Sequence, residues 1–106
     1  MRIYLIYFKV FYYNQNMSDI SKQILSDYKV SITNPRILVL EALMESKNPI
    51  TIDELQALLK ETVAKSTLYR VLNDLKKIKI LHEFTSPENV TVVELLLEDH
   101  THHHHL

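Results

Sequence analysis

The sequence predicts a mainly α-helical domain that ends in a β-hairpin, which is the architecture of a winged helix-turn-helix. Three observations support this prediction. Four successive stretches after Met17 carry apolar residues at helical spacing. Beyond Ile78 the period becomes that of extended chain, in two segments rich in β-branched residues. The motif SPEN (86–89) between those segments is typical of a turn.

Composition limits the chain to one domain and narrows its functional classes. The 106 residues leave room for one modest core, and 46% hydrophobic with 24% charged residues is typical of a globular protein. The formal net charge of −1 excludes a global positive field, so a nucleic-acid partner requires a local basic patch. Without cysteine the chain has no disulfide or thiolate metal site. Without glycine, positions that need positive φ must use Asn, Lys or Ser.

Residues 1–16 form an apolar and aromatic extension ahead of the predicted domain, residues 17–97. The stretch Ile3–Tyr13 is shorter than the ~20 residues of a membrane span, and no small-residue cleavage site of a signal peptide follows it. We interpret the extension as non-native, placed before a true start at Met17. The alternatives are a strand or helix that packs on the core and, third, a membrane anchor.

The first two helices are separated by the breaker SITNPR (31–36). Ser18 is positioned to cap the first helix. Thr33 or Asn34 is positioned to cap the second, with Pro35 in the first turn, where a missing N–H costs nothing. The apolar positions of the first helix are Ile20, Ile24, Leu25 and Tyr28. The second helix is expected to bury Ile37, Leu38, Leu40, Leu43 and Met44.

The third and fourth helices are joined by the short connection ETVA (61–64). The third begins at a capping box, because Glu54 follows Thr51 by three residues. Its apolar positions are Leu55, Leu58 and Leu59. In the fourth helix, at about 100° per residue, one arc is apolar: Leu68, Val71, Leu72, Leu75 and Ile78. The opposite arc is polar: Ser66, Tyr69, Arg70, Asn73 and Lys77.

The polar arc of the fourth helix has two interpretations. On its own it is typical of a solvated helix face. In a winged helix-turn-helix, however, the second helix of the closely spaced pair enters the DNA major groove, which favours a DNA-reading face. Tyr69 can lie against a thymine methyl, and Arg70 can reach a phosphate or a guanine edge. Ser66 and Thr67 begin the helix, where hydroxyls and backbone N–H groups meet phosphate, and Lys65 lies beside them.

Three segments, TNPRILVLEALMES (33–46), PITIDELQALL (49–59) and STLYRVLNDLKKIKIL (66–81), resemble the ferric uptake regulator family of bacterial metal-sensing repressors. The resemblance runs from about residue 32 to the C-terminus. Its most specific residues are Thr33 with Arg36, the Thr51–Glu54 box, and Thr67, Tyr69 and Arg70.

The resemblance implies a partner, a mode of assembly and a role for the polar arc. Family members form homodimers through a second α/β domain that also binds metal. We predict that this chain is cytoplasmic, is not an enzyme and does not bind a membrane. They repress transcription at AT-rich inverted repeats in double-stranded DNA when metal is bound. For this chain the resemblance implies base contact by Tyr69, base or backbone contact by Arg70, and DNA contact by Arg36.

The resemblance also implies candidate metal ligands. Family members use a glutamate of the second wing strand and histidines of an HHxHL-like stretch. The matching positions are Glu94, His103 and His105, with His102 a looser candidate. Imidazole and carboxylate suit Zn²⁺, Fe²⁺ or Mn²⁺. The alternatives for this stretch are an expression tag and a His-rich tail that binds metal loosely without a regulatory role.

The chain departs from the family pattern at several positions. The segment KNPITID (47–53) has no histidine before the third helix, Ser31 replaces an expected basic residue, and Lys79 replaces an expected glycine. The chain also stops at Leu106, where the dimerisation domain and its Cys-x-x-Cys zinc site are expected. We therefore interpret residues 98–106 as an acidic, His-rich start of a link to a missing domain. We predict a monomeric fragment of a homodimeric regulator.

Two other functional classes are a winged-helix module that binds DNA or protein without sensing metal, and an enzyme. Metal-dependent DNA binding separates the first from a metal-responsive repressor. An enzyme has little support, because no Ser/His/Asp set converges and no glycine-rich loop is present to bind phosphate. His82 and Glu83 are adjacent on a predicted strand, so their side chains point to opposite faces. We interpret His82 as an exposed or half-buried wing residue.

Overall fold

Four α-helices and a three-stranded antiparallel sheet form residues 17–46 and 48–97, the part of the chain that the computed structural model describes. The helices are α1 (Met17–Asp27), α2 (Asn34–Glu45), α3 (Ile52–Leu59) and α4 (Lys65–Lys77). The strands are β1 (Ile50–Thr51), β2 (Leu81–Thr85) and β3 (Thr91–Leu95). This order confirms the predicted winged helix-turn-helix, in which β2, β3 and their turn form the wing.

The predictions for residues 1–16 and 98–106 lie outside the described residues. Within the described ranges, no helix has the length and apolar character needed to cross a membrane.

Helix α1 buries the side chains that its apolar period predicts. Ile20, Ile24 and Leu25 are fully buried, and Tyr28, just beyond the helix end, is partly buried against the core. The prediction that Ser18 is the N-cap is wrong, because Met17 and Ser18 both already lie in the helix. A capping residue needs an extended backbone, which a residue inside the helix does not have.

Helix α2 lies in the middle of the domain, where it contacts α1, α3, α4 and β3. Its predicted start is confirmed: the Thr33 hydroxyl accepts a hydrogen bond from the Arg36 backbone N–H at 3.4 Å, and a proline stands in the first turn. Its predicted core is partly wrong. Leu38 and Met44 are only half-buried, whereas Val39 is fully buried. A helix with neighbours on several sides buries a wider arc than one apolar stripe.

Helix α3 begins at the predicted capping box. The Thr51 hydroxyl accepts from the Glu54 N–H at 3.0 Å, and the Glu54 carboxylate accepts from the Thr51 N–H at 3.1 Å. Leu55 and Leu59 are buried, but Leu58, the other apolar position of this helix, is 61% exposed. Leu58 lies at the edge of the buried arc, where it lines an open groove against α2.

Two carboxylates of α2, those of Glu41 and Glu45, line the same groove. Burial raises the pKa of Glu41 above its ordinary value of 4.5, and the nearby charge of Glu45 raises it further. Protonation of Glu41 is therefore easier in the folded chain than in the unfolded chain.

The sheet has the order β1-β3-β2. In the hairpin, Leu81 pairs with Leu95 at one end and Thr85 pairs with Thr91 at the other. Strand β1 pairs with the opposite edge of β3, and the sequence did not predict it because two residues are too short to show a period. The Asn48 side chain extends this pairing, since its amide donates to the Leu95 carbonyl at 3.2 Å and its oxygen accepts from the Leu95 N–H at 2.9 Å.

Three of the described residues take the positive φ angles that glycine usually supplies. They are Lys29, Lys79 and Asn89, with φ of 61°, 70° and 67°. Lys29 ends α1, Lys79 ends α4, and Asn89 lies in the wing turn. The prediction that Asn and Lys substitute for glycine is confirmed. At Lys79 the left-handed residue lets the Ile80 N–H bond to the Leu75 carbonyl at 3.2 Å, as in a Schellman motif.

Candidate nucleic-acid interface and metal ligands

Helix α4 separates a buried face from an exposed one, as its period predicts. Leu68, Val71, Leu72 and Leu75 are all buried, which fixes the rotation of the helix on the core. The exposed side chains are Ser66, Tyr69, Arg70, Asn73 and Lys77, and we refer to them as the outer face of α4. The five predicted polar residues therefore share one solvent-facing surface.

The first turn of α4 has no side-chain cap. Its N-cap is Ala64, which has no side-chain acceptor, and Leu68 is the first residue whose N–H bonds back to Ala64, at 2.8 Å. The N–H groups of the first turn therefore remain available for an acceptor from outside the helix. Lys65 and Ser66 are exposed beside them, and Thr67 is half-buried. An N-terminal turn with this arrangement favours an anion such as a phosphate.

The basic side chains of α4 differ in whether they form an ion pair. Lys76 Nζ forms an ion pair with Glu83 Oε1 of β2 at 2.6 Å. Among the described residues, Lys65, Arg70 and Lys77 form no ion pair, and all three are exposed. These three side chains supply the positive charge of the interface.

The wing supplies no positive charge. Residues 80–97 contain no lysine or arginine, and the wing turn carries Glu88 instead. Tyr69, which is 39% exposed, lines a cleft between α4, the start of α3 and the wing. Asp53 and Glu83, the second of which is paired with Lys76, line the same cleft, so both of its charged lining residues are carboxylates. The sequence analysis did not find this acidic border, which depends on three elements meeting in space.

The Arg36 side chain bridges the segment before α2 and helix α4. Its Nη1 donates to the carbonyl and to the hydroxyl of Ser31, at 2.9 and 2.7 Å. Its Nη2 donates to Asp74 Oδ2 of α4 at 3.0 Å, and the Arg36 side chain is 20% exposed. These contacts connect the segment before α2 with α4. Asp74 was absent from the predicted site, because it is 38 positions away from Arg36 in the chain.

The candidate metal ligands fall in two parts of the chain. Glu94 lies on β3, is half-buried, and stands opposite His82 of β2. His103 and His105 lie outside the described residues. Within residues 17–46 and 48–97, no three side chains of His, Asp or Glu come together as a metal site would require. The carboxylate and imidazole chemistry fits a divalent metal, but Glu94 and His82 alone supply fewer donors than a metal site needs.

Comparison with known proteins gives a match to one family. The family model of the ferric uptake regulator family matches residues 27–106. No curated protein gives a significant match.

Several solved structures have the same fold. The ferric uptake regulator of Vibrio cholerae is 29% identical over 74% of this chain and 63% of that chain, with a TM-score of 0.64. The ferric uptake regulator of Pseudomonas aeruginosa, solved with manganese, is 21% identical over 74% of this chain and 61% of that chain, with a TM-score of 0.66. PerR of Streptococcus pyogenes, a peroxide sensor, is 15% identical over 76% and 57%, with a TM-score of 0.61. The chain therefore spans less than two thirds of each of these proteins.

Proposed function

The chain belongs to the ferric uptake regulator family, and on this premise we propose that it binds double-stranded DNA through the outer face of α4, as part of a metal-responsive transcriptional repressor. The proposal rests on the exposed positive charges of this face. Lys65, Arg70 and Lys77 are exposed without ion pairs among the described residues, around a first turn whose N–H groups have no side-chain cap. In a winged helix-turn-helix, the helix that carries such a face enters the DNA major groove.

Each side chain of the outer face has a role that its chemistry supports. Arg70 contacts a phosphate or a guanine edge, and Tyr69 contacts a thymine methyl, which gives preference for AT-rich inverted repeats. Lys65, Ser66 and Thr67 hold a phosphate at the N-terminal turn. Asn73 and Lys77 extend the contact along the helix, about one and two turns beyond Tyr69 and Arg70.

Arg36 supports this interface from behind. Its bonds to Ser31 and Asp74 hold α4 relative to the segment before α2. They also neutralise the one acidic side chain of α4, which lies next to Asn73 in the sequence. Arg36 contacts a DNA phosphate directly only when it releases Asp74, so we propose bracing as its first role.

The affinity of one domain for DNA should be weak and sensitive to salt. The net charge is −1 and the wing has no basic residue, so the phosphate contacts come from about three cations on α4. Three contacts predict a slope of about −3 in a plot of log K against log salt concentration.

Two copies tied together gain effective concentration that one copy lacks. We therefore propose a homodimer for the full-length regulator and a monomer for this chain, both in the cytoplasm, without enzymatic activity.

The metal ligands that we propose are Glu94, His103 and His105. A Zn²⁺, Fe²⁺ or Mn²⁺ ion held by these donors would connect residues 98–106 to the end of the sheet. Glu94 supplies a carboxylate from a strand that also contacts α2 and α3, so it offers a fixed attachment point.

A DNA titration tests the interface. Fluorescence anisotropy compares an AT-rich inverted repeat with a GC-rich duplex of equal length, at rising salt. We expect Arg70→Ala to weaken binding to both duplexes by about tenfold, which corresponds to ~1.4 kcal/mol. We expect Tyr69→Ala to reduce mainly the preference for the AT-rich duplex. Lys22→Ala on α1 removes a positive charge elsewhere and should leave both affinities near those of the wild type.

Unchanged binding in both α4 variants would show that another surface contacts DNA. Binding that responds to α4 variants but not to Zn²⁺, Fe²⁺ or Mn²⁺ would favour a winged-helix module without metal sensing. Sedimentation velocity with and without metal tests the monomer, and a metal-induced dimer would contradict that part of the proposal.

A further inference from the structure

The hairpin register places one imidazole and one carboxylate side by side. His82 of β2 pairs directly with Glu94 of β3. Side chains of directly opposed residues lie on the same face of an antiparallel pair, with Cβ atoms about 4.5–5.5 Å apart. The neighbouring pair, Leu81 with Leu95, is buried in the core. Since successive side chains alternate between faces, His82 and Glu94 both lie on the outer face of the sheet.

The metal-binding atoms of both side chains are available. His82 is exposed and Glu94 is half-buried, and among the described residues neither side chain forms a hydrogen bond or an ion pair. The ring of Phe84 stacks on the imidazole of His82, with centroids 5.3 Å apart. Stacking covers a ring face and leaves the nitrogens, which lie at the ring edge, open to a ligand. Glu83, by contrast, is already paired with Lys76.

The pair lies at the end of the sheet from which the C-terminal tail (residues 98–106) continues. His82 is the second residue of β2 and Glu94 is the second-last residue of β3. Leu97, two residues after the end of β3, is buried, so the described chain ends close to the core at this end of the sheet. The six residues from Leu97 to His103 span up to ~20 Å. Going back from Leu97 to Glu94 takes only about 10 Å of strand.

We propose that His82 is a metal ligand, and that it forms a preformed half-site with Glu94 for a divalent transition metal such as Zn²⁺. Further donors from protein or water complete four-coordination. This inference rests on the metal response in the proposed function and adds a ligand to its site. The strands supply donors of fixed position, so the ion binds the folded domain in preference to the unfolded chain.

This preference separates the proposed site from binding by the tail alone. An ion held by the two strands stabilises the folded state and raises the melting temperature, Tm. An ion held only by the tail binds folded and unfolded chains alike and leaves Tm unchanged. The test is therefore thermal unfolding of the full 106-residue chain, followed by circular dichroism, with and without excess ZnCl₂.

Four proteins are compared: the wild type, His82→Ala, Glu94→Gln, and the control Glu88→Gln, which changes a carboxylate at the far end of the wing. We expect Zn²⁺ to raise Tm in the wild type and the control only. Zn²⁺ affinity should fall at least about tenfold in His82→Ala. A full rise in Tm for His82→Ala would overturn the inference, although the metal response through Glu94 would stand. No rise in the wild type would overturn both.

Cobalt absorption gives a second readout for variants with altered metal-free stability. At low temperature, where the chains are folded, the d–d bands of bound Co²⁺ report its ligands. We expect His82→Ala to change the position or intensity of these bands, while Glu88→Gln leaves them unchanged. Identical spectra for the wild type and His82→Ala would show that the imidazole of His82 is not a ligand.

Discussion

Replacing Lys79 by glycine should stabilise the domain. Lys79 has a φ of 70° at the end of α4, in the left-handed region. For a residue with a Cβ atom this conformation costs roughly 1–2 kcal/mol. Glycine avoids that cost but gains freedom in the unfolded chain, which offsets about 0.5–1 kcal/mol. The net gain in unfolding free energy is about 0–1.5 kcal/mol, and the middle of that range corresponds to a rise in Tm of about 4 °C for a domain of this size.

Urea and thermal unfolding of Lys79→Gly measure this gain, and two variants control for it. Lys79→Ala removes the same charge but keeps a Cβ atom, so it should not stabilise. Lys22→Gly places glycine in the interior of α1 and should cost about 1 kcal/mol. If Lys79→Gly is no more stable than Lys79→Ala, the left-handed backbone carries no strain and the reasoning is refuted.

Three further predictions address the core, the groove and the interface. Leu72→Ala should cost about 2–5 kcal/mol, because Leu72 is 1% exposed, and an unchanged urea midpoint would contradict its burial. The raised pKa of Glu41 means that this carboxylate binds its proton more tightly in the folded chain than in the unfolded chain, so its contribution to stability should be lost as pH rises above about 4.5. Glu41→Gln should therefore be more stable than the wild type at pH 7, with a gap in urea midpoint that closes toward pH 4; a constant gap would refute the shift. Asp74→Asn should cost less than about 1 kcal/mol of stability. It should also strengthen DNA binding and steepen the salt slope by up to about one unit, since it removes the negative charge that compensates Arg36; an unchanged slope would show that the charge of Arg36 does not act on phosphate.

Most of the fold could be predicted from local signals. The caps at Thr33 and Thr51 and the apolar period of α4 depend on residues within one or two turns of each other, so the sequence contains them directly. Burial in α2 and α3 depends on which neighbours surround each helix. Val39 is buried, and Leu58 exposed, because of packing between elements that no single helical period encodes.

The candidate site divides in the same way. The outer face of α4 follows from its buried stripe, so residues such as Tyr69 and Arg70 could be placed correctly. The contact of Arg36 with Asp74 joins residues 38 positions apart. The opposition of His82 and Glu94 depends on the hairpin register, which the turn between the strands determines. Neither contact has a signature in the local sequence.

The central position of β3 has a consequence for how motion spreads through the domain. β1 and the amide of Asn48 hold one edge of β3, and β2 holds the other, while the outer edge of β2 has no strand beside it among the described residues. Amide protons of β3 should therefore exchange with solvent only in large openings, and those on the outer edge of β2 in small local ones. β3 also contacts α2 and α3. A force applied to the chain just after β3 is therefore transmitted directly to these two helices as well as to the wing.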